Sequence, residues 1–83
     1  MVIDILYFAS IKERMGISGE PVAIEGNITG EGLINLLSDK GEPWQTVLSD
    51  NKLLIAINQE MASLEDSIAE GDEVAFFPPV TGG

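Results

Sequence analysis

The chain has 83 residues, with four Lys/Arg against fourteen Asp/Glu, a formal net charge of −10, and neither Cys nor His. A domain of this length buries only about 60–65% of the surface that its unfolded chain exposes, so two cores or a deep self-contained active site are not expected. Without Cys or His the usual zinc, copper and haem ligand sets are missing, and the negative charge disfavours nucleic acid and anionic membranes while favouring basic protein surfaces. A disulfide-free chain suits a reducing compartment, and the cytoplasm is the expected location.

Residues 2–8 are apolar but contain Asp4 and lack a basic leader, so they read as a strand rather than a secretory signal. Alternation puts Ile3, Ile5 and Tyr7 on one face and Val2, Asp4, Leu6 and Phe8 on the other, which Asp4 marks as the less buried face. Ser10 to Glu13 fits an S-x-x-E capping box, and Gly16 stops the resulting short helix. Residues 21–25 alternate with Val22 and Ile24 together. They form a second strand, hairpinned with the first, with Pro21 at its edge or start.

Thr29 is the expected cap of the main helix, in which Leu33, Leu36, Leu37 and Lys40 follow helical spacing. Gly30 and Gly32 weaken its first turn, and Gly41 stops it. Pro43 opens a short turn in which Trp44, Val47 and Leu48 share a side, with Trp44 closing an edge of the core. Residues 52–58 form a third strand with Leu53, Ile55 and Ile57 facing one way. Asn58, Gln59 and Glu60 turn the chain into a short return strand over 61–64. Residues 65–70 read as irregular. Gly71 and Asp72 then lead into a last strand over 73–77, with Val74 and Phe76 on one side and Phe77 with Glu73 on the other. Hairpin, helix and further strands define a two-layer α+β domain with the helix across one sheet face.

Prolines 78 and 79 cannot continue a central strand, so residues 78–83 are expected to project as an extended arm reaching at most about 20 Å. Gly82 and Gly83 have no side chains and could thread a channel too narrow for other residues, although a terminal Gly-Gly is by itself also compatible with a frayed end.

Residues 71–83, Gly-Asp-Glu-Val-Ala-Phe-Phe-Pro-Pro-Val-Thr-Gly-Gly, resemble the C-terminal signature of the ubiquitin-like sulfur carriers that serve as small subunit of molybdopterin synthase. Residues 52–59 resemble that family's third strand. Leu6 to Ala9 with Lys12 and Glu13 resemble its first strand and turn. Between Gly16 and Asp50 the likeness rests on helix placement and Trp44.

The resemblance implies a β-grasp domain over residues 1–77 and a Gly-Gly tail over 78–83. It implies that an ATP-dependent activating enzyme adenylates Gly83 and that a sulfur donor converts it to a thiocarboxylate. The tail, with Thr81 and Gly82 threading, then delivers sulfur to cyclic pyranopterin monophosphate in the large synthase subunit, within a heterotetramer. ATP and magnesium belong to the activating enzyme. No cofactor is expected on this chain, which would be a cosubstrate without catalytic side chains.

Phe8 and Phe77 are expected on the outer sheet face, forming an exposed apolar patch at the base of the tail if their strands are neighbours as in the β-grasp fold. Met61 resembles a third apolar contact of the family, and Pro78, Pro79 and Val80 complete the expected partner contacts. The alternative is that Phe8, Met61 and Phe77 fill a core. Alternatives are a thiamine-pathway sulfur carrier, a modifier conjugated to lysines through Gly83, or an inert adaptor that uses only its sheet face.

Overall fold

The computed structural model describes residues 2–49 and 53–78. In chain order its elements are β1 (Val2–Tyr7), α1 (Ala9–Met15), β2 (Gly19–Ala23), β3 (Ile28–Thr29), α2 (Gly30–Ser38), α3 (Trp44–Val47), β4 (Leu54–Ile57), β5 (Glu60–Ala62), β6 (Ser67–Ile68) and β7 (Glu73–Phe77). Five strands form a mixed sheet in the order β2-β1-β7-β4-β5, and β3 pairs with β6 separately. The two strands furthest apart in sequence, β1 and β7, lie side by side and parallel, with Ile5 opposite Val74 and Tyr7 opposite Phe76.

Alternation along the strands delivers one side chain in two to the core. Ile3, Ile5, Tyr7, Ile55, Val74 and Phe76 are buried and face Leu33 and Leu37 of α2, with Met15, Ile24, Val47, Leu48 and Ile68 closing the periphery. The expected division of β1 and β7 is therefore observed residue for residue. Among the described residues no helix is long and apolar enough to cross a membrane.

Local signals succeed where the bond they predict is made and fail where the chain finds another partner. Thr29 caps α2 as expected, its Oγ1 accepting from the Gly32 N–H at 3.1 Å. Gly16 ends α1 in the left-handed conformation, φ 79°. Asn58 and Gln59 carry the two positive φ values, 52° and 70°, of a tight β4–β5 turn.

The Ser10 capping box does not form. Helix α1 begins two residues earlier than a Ser10 cap would set, at Ala9, with Phe8 at the cap position and no side-chain cap, the Phe8 carbonyl accepting from the Ile11 and Lys12 N–H groups. Strand β2 is displaced toward Gly19 relative to the expected 21–25, since pairing with Leu6 and Ile5 extends it through Gly19 and Glu20. Residues 65–70 are not wholly irregular: Ile68 is fully buried and pairs with Ile28.

Helix α2 ends at Ser38, so Lys40 lies beyond it instead of completing its stripe, and Leu36 is 39% exposed. The first turn of α2 is anchored rather than loose. The Gly30 N–H donates to the Asp66 carbonyl and the Glu31 N–H to the Leu64 carbonyl. Gly30 is buried, and a Cβ there would lie 3.0 Å from Ile55 Cδ1 and 3.1 Å from Leu64 Cα. The helix start approaches the backbone too closely for a side chain, so the loss of helix propensity is offset by packing.

Candidate functional site

The sheet's second face carries the feature that needs explanation. Register places Leu6, Ala75, Ala56 and Met61 in one row across β1, β7, β4 and β5, and Phe77 and Leu54 in the next. Phe8 continues β1 beside Phe77, its N–H donating to the Phe76 carbonyl at 3.1 Å. Phe8 is 47% and Met61 65% exposed, while Phe77 is half-buried. The structure thus brings the three expected contacts onto one outer face. It adds Leu6, Leu54, Ala56 and Ala75 between them, and the last three could have been found only from the strand register.

Pro78 follows β7 directly, at the end of the sheet where Phe8, Phe77 and Leu54 lie. Pro79, Val80, Thr81, Gly82 and Gly83 lie outside the described residues. Whatever the tail reaches, a partner that takes it up meets this apolar face at its base.

At the opposite end of β7 the chain is braced by Asp72. Its carboxylate accepts from the Ala69 N–H at 2.8 Å and from Asn58 Nδ2 at 3.1 Å, and these bonds hold its pKa below the ordinary value. Asn58 Oδ1 in turn accepts from the Glu73 N–H at 3.0 Å. The β4–β5 turn and the entry to β7 are therefore fixed together. Among the described residues no three carboxylates converge to hold a metal ion.

On the helix side, Glu20 of β2 ties β1, α3 and the segment after α2 into one network. Its carboxylate accepts from Tyr7 Oη at 2.7 Å, from Trp44 Nε1 at 2.9 Å and from Lys40 Nζ, and Lys40 also lies over the Trp44 ring at 4.5 Å. Trp44 does close a core edge, and its indole N–H is what fixes α3 to β2. Burial pushes the Glu20 carboxyl upward, but the hydrogen bonds from Lys40, Tyr7 and Trp44 outweigh it and hold the pKa below the ordinary value. Desolvation, reinforced by the Glu20 hydrogen bond, raises the Tyr7 phenol well above its ordinary value.

A depressed carboxyl contributes stability above its unfolded pKa, about 4.3, and that contribution is lost as pH falls through the lower folded value. The raised phenol works in the other direction, its contribution lost as pH rises above about 10. Glu20→Gln is expected to lower stability at neutral pH by about 1–2 kcal/mol in urea unfolding. It should also lose part of the acid-induced decline that the wild-type shows below about pH 4. An acid limb of unchanged depth would show that the network does not couple to folding.

A mixed five-stranded sheet with one helix across its inner face, an apolar outer face and parallel first and last strands defines a ubiquitin-like β-grasp domain. Residues 5–83 match the ThiS family, to which the chain belongs. It is similar to the molybdopterin synthase sulfur carrier subunit of Escherichia coli, 42% identical over 82 residues that cover 99% of this chain and all of that protein. The corresponding Haemophilus influenzae protein is 41% identical over 83 residues, with 99% and 100% coverage. Among solved structures, SAMP1 from Haloferax volcanii, a small archaeal modifier protein, superposes with a TM-score of 0.78 at 26% identity over the whole of both chains.

Proposed function

We propose that this chain is the sulfur carrier subunit of a molybdopterin synthase, working in the cytoplasm through its Gly83 carboxylate. What carries the reading is end-to-end likeness to relatives that bear that name, together with a β7 that runs past an exposed apolar face into the Pro-Pro-Val-Thr-Gly-Gly tail.

A carboxylate is a poor electrophile. An ATP-dependent activating enzyme joins it to AMP with release of pyrophosphate, and sulfide from a donor attacks the acyl carbon as AMP leaves, giving a thiocarboxylate. The arm then carries the nucleophilic sulfur to the large subunit, where tethering raises its local concentration at cyclic pyranopterin monophosphate. Two such transfers build the dithiolene, and hydrolysis returns the carboxylate. Phe8, Met61, Phe77, Pro78, Pro79 and Val80 are the partner contacts, Thr81 and Gly82 thread the tail, and ATP and magnesium stay with the activating enzyme.

Incubation with an activating enzyme, ATP and a sulfide source is expected to give a chain about 16 Da heavier at Gly83, one oxygen replaced by sulfur. The likeness to a protein named a modifier favours one second reading, conjugation of Gly83 to lysines. Gly-Gly remnants on other proteins with no mass gain on the free chain would decide for it.

A further inference from the structure

An antiparallel or mixed sheet that turns one face to water ordinarily presents polar side chains there. On this face the strands carry Val2, Leu6, Leu54, Ala56, Met61, Ala75 and Phe77 with Gly19, Pro21 and Ala23, and only two charged residues, Asp4 and Glu73. These two carboxylates are direct register partners on parallel neighbours β1 and β7. Like charges directly opposite one another destabilise a sheet. No strand of the sheet contains Lys or Arg, and the ion pair of the described residues, Lys40 with Glu20, is on the helix side. Asp4 is exposed, with Leu6 next to it on the same face, and beside the two carboxylates lies a shallow depression of about 370 Å³ lined in part by Leu6, Gly19 and Pro21. The depression is also lined by Ser18 and Glu20, and its mix of apolar and carboxylate groups suits the aliphatic stem and charged head of a Lys or Arg.

We infer that the docking surface is the whole outer sheet face, and that its occupant is an apolar surface of the large synthase subunit bearing a Lys or Arg that seats between Asp4 and Glu73. The inference rests on the functional reading above and specifies the chemistry of the partner. A second copy of this chain does not fit, because it would bring the same two carboxylates against them at a net charge of −10 per chain. Polyanions and anionic lipid are excluded on the same ground. The pair thus meets its counter-charge only in the complex.

The test compares wild-type carrier with the Asp4→Asn/Glu73→Gln double variant, measuring binding to the large subunit across a salt series and the unfolding midpoint of each free chain. The expected result is affinity weaker by at least about tenfold and a shallower salt dependence, with a midpoint that is unchanged or raised. Equal affinity and an equal salt slope would overturn the inference. So would a lowered midpoint, which would assign the carboxylates to the fold. If the wild-type chain itself does not bind the large subunit, the functional reading fails and takes the inference with it; wild-type binding with an unaffected variant removes the inference alone.

Discussion

A chain lacking Gly83 is expected to fold and to bind the large subunit as the wild-type does, yet to yield no thiocarboxylate and to reduce dithiolene formation by at least about a thousandfold in a reconstituted system. The size follows from what is removed: a nucleophile held at its acceptor gains effective molarities of about 10⁵ M or more, and nothing else in the chain can replace it. Without Cys there is no side-chain thiol to take over sulfur transfer. The fold should be indifferent, because among the described residues the buried core cluster ends at Phe76. The measurement is intact-mass analysis after activation, followed by product assay with large subunit and pterin precursor. Sulfur transfer by the truncated chain would end the proposed role of the terminal glycine.

The neighbouring residues Phe76 and Phe77 should respond in opposite ways to the same change. Phe76 is fully buried, its ring stacked on Tyr7 with centroids 6.4 Å apart and an interplanar angle of 19°. Removing a buried aromatic costs about 3–5 kcal/mol, set against a total of about 4–12 kcal/mol for a domain of this length, so Phe76→Ala is expected to leave much of the chain unfolded at 37 °C. Phe77 lies on the outer face beside Leu54. Phe77→Ala should keep a cooperative transition within about 1–1.5 kcal/mol of wild-type but bind the large subunit at least about tenfold more weakly. Circular dichroism melts with binding titrations distinguish the cases. Unfolding of Phe77→Ala would assign that ring to the core, and tight binding would remove it from the interface.

This contrast also shows what was legible in the sequence. Strand alternation is a local property, so the division of Val74 and Phe76 from Glu73 and Phe77 could be read directly, as could the Thr29 cap and the turn at Asn58 and Gln59. The two-residue strand at Ser67 has too little sequence to show a period and exists only because Ile28 lies across from it. The Ser10 motif was misleading because the helix starts at Ala9, which puts Ser10 inside the first turn and leaves Phe8 at the cap position. Leu54, Ala56 and Ala75 read as ordinary strand residues until register sets them beside Phe77, Met61 and Leu6. Glu20, Lys40, Tyr7 and Trp44 are spread across nearly forty positions, and no spacing rule connects them. The family resemblance supplied the β-grasp fold and the carrier family, which the comparisons bear out; periodicity supplied the faces.

The central place of β7 has a bearing on biosynthesis. Strands β1 and β2 form one hairpin and β4 and β5 another, and both are joined only through residues 73–77. Until the ribosome has made that stretch the two halves share no ladder, so closure waits on a contact between near-opposite ends of the chain, a slow kind of folding step. The same event that completes the sheet sets Pro78 at the end of its central strand. A polypeptide that stops before residue 73 lacks the strand that joins the two halves and cannot close the sheet.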